Sequence, residues 1–286
     1  MIAVEREFSS KGRPIVARCW HDPALPPLLA LHGWQDNAAT FDRLAPLLPQ
    51  FHIVAMDFAG HGLSAWRPAG TRYHMLDHVD DVLAVADQLG WEKFSVLGHS
   101  MGAGIGILLA GAMPERVGRL LLVDGLGPWA AKEEEAPDVL RAALEEWRDF
   151  TPREERVFAT IDEAVAARQR GFTPLTAEAA RLLCTRGLKA VPGGYAWTLD
   201  RRVRHHGSQR MSEAQARAYV ARLAAPVLLV RAQPGFAAAE EMFSGRWPLI
   251  RNGRLVSLPG SHHLHLEEQA GAVAEAITDF CRGSAG

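Results

Sequence analysis

A serine with a glycine two residues away on either side, Gly98-His99-Ser100-Met101-Gly102, carries the first chemistry in this chain. It lies between an apolar run, Phe94-Ser95-Val96-Leu97, and a stretch of small and apolar residues over 103–112, so it reads as the junction of a strand and a helix. A serine on so sharp a turn has a strained backbone, and strand and helix can approach each other only if its neighbours are small. Gly98 and Gly102 meet that need, which leaves the hydroxyl presented as a nucleophile for acyl transfer. In a chain with 26 glycines the five-residue pattern alone is also compatible with a plain turn. The flanks, and two further motifs, favour the nucleophile.

The second motif is Leu28-Leu29-Ala30-Leu31-His32-Gly33-Trp34, a run with the pattern of a strand buried on both faces, closed by His-Gly. The backbone N–H of Trp34 would face the serine there and, with the N–H of Met101, form an oxyanion hole. As a simple glycine turn the same stretch would make Trp34 a core aromatic. The third motif, Leu258-Pro259-Gly260-Ser261-His262-His263-Leu264-His265-Leu266-Glu267, follows a short strand at 255–258 and leads into the last helix. A histidine on such a loop can reach the serine as its base.

Together with Asp57-Phe58-Ala59-Gly60-His61-Gly62-Leu63-Ser64, these residues resemble the α/β-hydrolase superfamily over nearly the whole chain. A serine at the nucleophile position sets the chain apart from the haloalkane dehalogenases and epoxide hydrolases, which place aspartate there. The segment from Arg186-Gly187-Leu188-Lys189 through Gly193-Gly194-Tyr195-Ala196-Trp197-Thr198-Leu199-Asp200 is similar to the serine hydrolase-like subgroup. The resemblance implies that the base stands three residues before His265-Leu266-Glu267, which is His262, with His263 as the runner-up and His265 at the entry to the helix. In most such relatives the acid follows the strand after the lid, but here that loop reads Arg231-Ala232-Gln233-Pro234-Gly235-Phe236 and has no carboxylate. Glu240 and Glu241 come later, on an expected helix. Asp124 ends the run Leu120-Leu121-Leu122-Val123 beside the elbow strand, a position that some members use and where doubly wound sheets place ligand-binding loops. Its plainer role would be to cap a turn.

The implied function is a serine hydrolase cleaving a small carboxylic ester through an acyl-enzyme, with Ser100, His262 and Asp124 as triad and no cofactor. The same triad serves C–C bond hydrolysis of a diketone, thioester cleavage and peracid chemistry, and a hydrolase fold can also be kept as a catalytically silent binding protein. Zinc on His262, His263, His265 and Glu267 would need ligands from elsewhere and would have no task beside the serine, so no metal is expected.

These motifs require a fold that brings strand ends together. Strands and helices alternate as in a doubly wound, mostly parallel α/β sheet: two opening strands at 2–8 and 14–20 expected to be antiparallel, then strand 28–31, helix 40–48, strand 52–56, helix 74–89, the elbow strand, helix 101–112 and strand 119–123. Strands resume only at 227–230. The intervening segment is too long for a connection inside a sheet, and predicts a helical lid over 125–224 inserted between core segments 1–124 and 225–286. Helical patterns near 132–150, 153–168, 176–188 and 211–223 are separated by Pro152, Pro174, Pro192 and Gly193-Gly194. The insert's aromatics, Trp129, Phe150, Phe158, Phe172, Tyr195 and Trp197, are candidates to line an acyl or alcohol pocket under the lid, but at helical spacing aromatics more often form a core than touch a ligand, and none is assigned to a site. Glu133-Glu134-Glu135 reads as a solvated face, His99 as a packing residue, His205-His206 as surface and His61 as part of a glycine turn.

Composition narrows the class of partner. With 31 basic and 33 acidic residues the net charge of −2 offers no footprint for nucleic acid or an anionic membrane, and small neutral ligands suit it better. Cys19, Cys184 and Cys281 are scattered without metal-ligand or disulfide spacing, which suits a reducing compartment. Glu5, Arg6 and Glu7 interrupt the stretch where a signal peptide needs apolar residues, and no run of about eighteen apolar residues occurs, so a soluble cytoplasmic protein is expected. The oligomeric state is not encoded in any of these features.

Overall fold

The computed structural model describes residues 3–148, 150, 156–205, 207–234 and 237–283. The start of the opening strand at Ile2, the first residues of the expected helix at 153–168, His206, the end of the loop at 235–236 and the tail from Ser284 lie outside them.

The opening hairpin pairs β1 (Val4–Ser10) with β2 (Arg13–Trp20) antiparallel through Lys11-Gly12. Both turn residues have positive φ, 50° and 77°, the conformation that matches a tight hairpin to the twist of its strands. β2 then joins β4 (His52–Met56) antiparallel. From there the sheet is parallel: β3 (Pro27–Leu31), β5 (Phe94–His99), β6 (Val117–Val123), β9 (Val227–Gln233) and β10 (Gly253–Pro259) complete the order β1-β2-β4-β3-β5-β6-β9-β10. The chain winds outward in opposite directions from β3 and β5, so the crevice at their carboxyl ends is the topological switch point where such sheets bind ligands.

One face of the sheet packs on α1 (Asp77–Gln88) and α2 (Met101–Ala112), the other on α8 (Ala270–Gly283), and each face has its own apolar layer. α2 is buried on every side over residues 102–111, which is why its sequence is small and apolar without a polar face.

The helix expected over 40–48 is replaced by two single 3-10 turns, Ala38–Phe41 and Ala45–Leu47. Asn37 caps the first by accepting from the Ala39 N–H, and Pro46 starts the second; inside an α-helix its ring would clash with the Asp42 carbonyl. Within 125–224 lie α3 (Ala136–Arg148), α4 (Ile161–Gln169), α5 (Ala177–Gly187) and α6 (Glu213–Ala221), shorter than their sequence patterns at one or both ends. The segment also holds a hairpin that the helical reading did not foresee, β7 (Leu188–Val191) against β8 (Gly194–Trp197). Pro192 and Gly193 do not merely interrupt a helix there: they are the centre of the turn, with Gly193 at φ 85°. α4, α5 and Phe158 form a third apolar cluster. Among the described residues no helix is long and apolar enough to cross a membrane.

Candidate active site

Ser100 stands between β5 and α2 at φ 51° and ψ −112°, outside the regions an L-residue occupies comfortably. Two close approaches hold it there. A Cβ on Gly102 would come 2.0 Å from the Leu31 carbonyl oxygen, and one on Gly98 would come 2.6 Å from the backbone of Ala103. Both contacts are with backbone, so neither can be relieved by a side-chain rotation. The Ser100 N–H donates to the Val123 carbonyl at 3.1 Å, which straps the elbow to the neighbouring strand.

At the end of that strand Asp124 is also strained, at φ 44°. Its N–H donates to the Val230 carbonyl at 2.8 Å, and its Oδ1 accepts the Ala232 N–H at 3.0 Å, so both neighbouring chain segments fix its direction. Its Oδ2 lies 2.6 Å from His262 Nδ1. An ionised carboxylate only accepts, which puts the ring proton on Nδ1 and leaves Nε2 as the basic nitrogen. The His262 carbonyl in turn accepts from His99 Nε2 at 3.0 Å. His99, expected only to pack, is a fully buried brace under the loop that carries His262.

His263 points elsewhere. Its Nε2 is 2.9 Å from Oδ2 of Asp36, whose Oδ1 accepts from Arg168 of α4 at 2.7 Å. His265 is buried with Nε2 3.0 Å from Thr40 Oγ1. Burial alone would raise the Asp36 carboxyl, but His263, Arg168 and His99 around it hold it well below the usual range. Asp36, His99 and His263 bring three possible ligand atoms within 4.8 Å of one another. The Arg168 guanidinium already supplies the positive charge this acid needs. Removing one partner of such a buried pair strands the other at a cost of about 3–5 kcal/mol, so Asp36 ties α4 to the histidine loop. A second buried carboxylate does similar work: Asp57 accepts the Ala38 and Leu63 N–H groups and pairs with Arg186 of α5 at 2.8 Å.

A cavity of about 940 Å³ opens over these strand ends, lined by Trp34, Ser100, Met101, Asp124, His262 and His263 among others. Met101 is the first residue of α2, so its N–H has no partner inside the helix. Trp34 is not a core aromatic: it is 40% exposed, and its indole N–H donates to the Val203 carbonyl at 2.9 Å. Of the insert aromatics, Phe158 is buried in the core as expected, with Trp197 packed on its cluster, and both border the cavity; Trp129 and Phe172 are exposed and line it instead. Their periodicity was compatible with either location, and only the fold of the insert distinguishes the two. The Glu133–Glu135 run is exposed as expected, and His205 packs its ring against Trp147 and Phe150.

Five histidines around this centre, His32, His61, His78, His99 and His265, are buried, and burial pushes each below its ordinary value. Below about pH 6.5 the unfolded chain protonates these rings while the native state does not, so stability falls with pH by up to about 1.4 kcal/mol per unit for each ring. Urea unfolding at a series of pH values is expected to show full stability above that point and a steady loss on acidification towards pH 5. A midpoint unchanged over that interval would contradict neutral burial of these rings.

A family model for the alpha/beta hydrolase fold matches residues 26–235. The chain is 31% identical over 285 residues to a serine hydrolase-like protein of Dictyostelium discoideum, covering 94% of this chain and 79% of that one. It is 32% identical over 285 residues to serine hydrolase-like protein 2 of Homo sapiens, covering 93% and 90%. Among solved structures, a hypothetical protein of Pseudomonas aeruginosa PAO1 superposes with a TM-score of 0.93 at 44% identity, covering 97% of this chain and 99% of that one.

Proposed function

Because the chain belongs to the alpha/beta hydrolase family, we propose that it is a serine hydrolase cleaving a small carboxylic ester through an acyl-enzyme, with Ser100 as nucleophile, His262 as base and Asp124 as acid. The observation that carries this reading is the 2.6 Å contact between Asp124 Oδ2 and His262 Nδ1, on the wall of the cavity that also holds the strained Ser100. In this reading residues 125–224 are a lid on a core made of 1–124 and 225–286.

The Ser100 hydroxyl adds to the ester carbonyl while its proton passes to His262 Nε2. The carbonyl oxygen takes up negative charge and is held by the N–H groups of Trp34 and Met101. Collapse breaks the bond to the alcohol, which leaves with the proton from the imidazolium. Water then gives a proton to His262 and attacks the acyl-enzyme; the second collapse returns Ser100 and frees the acid. Asp124 stabilises the imidazolium in both halves and keeps the proton-bearing nitrogen turned away from the serine.

A panel of p-nitrophenyl esters of increasing chain length, acyl thioesters and vinylogous diketones tests the reaction class. Esters with short acyl chains are expected to turn over with a burst of p-nitrophenol ahead of the steady rate. Turnover confined to the diketones would move the assignment to C–C bond hydrolysis on the same residues, and turnover of none, with no covalent labelling, would leave a binding protein.

A further inference from the structure

On the wall of the cavity a bare ring nitrogen faces a carboxylate oxygen. His99, fully buried at the end of β5, donates its Nε2–H to the His262 carbonyl, so the neutral ring carries its lone pair on Nδ1. Among the described residues this Nδ1 has no hydrogen-bond partner. It stands 3.7 Å from Oδ2 of Asp36, which is also an acceptor and equally buried. Two acceptors turned towards each other away from water repel, and a positive centre between them reverses the sign.

His263 supplies a third atom at the same corner. Its Nε2 is 2.9 Å from Asp36 Oδ2, and the three atoms lie within 4.8 Å of one another. Ligands about 2.0–2.1 Å from a tetrahedral ion stand about 3.3 Å apart, so the two separations fall on either side of that value and small side-chain movements would seat an ion. Gly33 keeps the corner open: an added Cβ would stand 2.8 Å from His99 Nδ1 and 3.1 Å from Asp36 Oδ2. All three residues line the cavity, which provides an entry path and room for a water as fourth ligand. The groups behind them also match. A ligating histidine usually donates its other ring N–H to a carbonyl or carboxylate, as His99 does to His262, and a ligating carboxylate is hydrogen-bonded in turn, as Asp36 Oδ1 is by Arg168 at 2.7 Å.

We propose that Asp36, His99 and His263 form a site for a divalent transition-metal ion, zinc by its donor set of two imidazoles and one carboxylate, which enters from the cavity and slows hydrolysis while bound. The ion takes the place of the proton between His263 Nε2 and Asp36, and that proton passes to His263 Nδ1, which has no hydrogen-bond partner among the described residues. Because Arg168 already balances Asp36, the fold does not depend on the ion. That suits an effector rather than a resident cofactor. The histidine run at 262–265 needed ligands from elsewhere to hold zinc, and the end of β5 and the turn after β3 bring two of them to His263. A dication there lies against the loop of His262, where the proposed mechanism gathers positive charge, so it opposes acylation. The site stands apart from the hydrolase reading; only its effect on turnover rests on it.

The test titrates zinc into the tag-free, full-length protein and into S100A by calorimetry, with cobalt as a spectroscopic probe. A single equivalent of zinc is expected to bind both proteins in the micromolar range, and cobalt to give the intense visible bands of a four-coordinate ion. H263Q, whose amide can still donate to Asp36, and D36N should each weaken binding by about tenfold or more, since even the partners behind metal ligands are worth about 10–100-fold. H205Q, on a histidine packed against Trp147 and Phe150 outside the cavity, should bind as the wild type does. Magnesium, which demands oxygen ligands in octahedral array, should not compete. Circular dichroism checks the fold of each variant, and H263Q carries the test if D36N does not fold. Hydrolysis of p-nitrophenyl butyrate should fall by about tenfold or more at saturating zinc and recover on chelation, as expected for a dication close to a developing positive charge. The turnover left in H263Q should be insensitive to the same zinc concentration. Binding that is absent, that survives both substitutions, or that leaves cobalt octahedral overturns the site, and turnover unchanged at saturating zinc overturns its effect. Zinc bound as expected by a wild-type protein that hydrolyses no ester would overturn the hydrolase reading alone.

Discussion

Ser100→Ala is expected to lower turnover of an activated ester by about 10⁶-fold and to abolish labelling by a fluorophosphonate. The size of the effect follows from the division of labour in the site. In the proposed mechanism the N–H groups of Trp34 and Met101 would still polarise a carbonyl bound in the cavity, but no other hydroxyl stands on the strained turn between β5 and α2. The nearest alternative nucleophiles by chemistry are thiols, and burial raises those of Cys19 and Cys184 to about 11, so neither is a ready thiolate at neutral pH. Mass spectrometry of the labelled wild-type protein should place the adduct on Ser100. A variant that still labels, or hydrolyses esters at the wild-type rate, would remove the serine from the mechanism. The substitution deletes one oxygen and leaves the glycine contacts of the elbow in place, so loss of activity without loss of fold is the expected pattern, readable by circular dichroism.

His262→Ala should be comparably severe, about 10⁶ in kcat by analogy with single deletions from a serine protease triad, because the serine proton then has no acceptor within the site. The informative comparison is with His263→Ala. Both rings line the cavity, and the sequence alone left them one register apart. Their partners separate them: His262 faces Asp124, at the end of the strand strapped to the elbow, whereas His263 faces Asp36 and, through it, Arg168. Loss of His263 is therefore expected to appear mainly as reduced stability, with ester turnover retained far better than in His262→Ala. The opposite ranking, with His262→Ala nearly normal and His263→Ala inactive but folded, would falsify the assignment of the base.

The parallel sheet was legible because strands buried on both faces need continuous apolar runs, and residues 28–31, 94–97, 120–123 and 227–230 have no other reading in an alternating chain. The elbow was legible for a related reason: a close backbone approach leaves glycine as its trace, and Gly98 and Gly102 are that trace. Asp124 could be singled out because the loop after β9 has no carboxylate through Pro234 and beyond it in sequence, while β6 ends in one. What stayed hidden depends on partners remote in sequence. Nothing around Asp36 announces that Arg168 and His263 will converge on it, and the bracing of His262 by His99 joins a strand end to a loop formed much later in the chain. The hairpin β7–β8 was hidden differently. Four residues a side are too few to establish a period of two, and a Pro-Gly pair breaks a helix as readily as it turns a hairpin.

The strap between Ser100 and Val123 places the proposed nucleophile and acid on one β-α-β unit, while the proposed base arrives from the far side of the insert. A backbone nick in the exposed Pro192-Gly193 turn would therefore yield one fragment with Ser100 and Asp124 and another with His262. Within the sheet the seam between them is the short β6–β9 ladder, from Leu120 opposite Val227 to Val123 opposite Val230. Neither fragment alone could complete the proton relay. Ester hydrolysis on mixing would then be a signal of reassembly, so the order of the proposed triad along the chain would make this fold a natural scaffold for a split reporter.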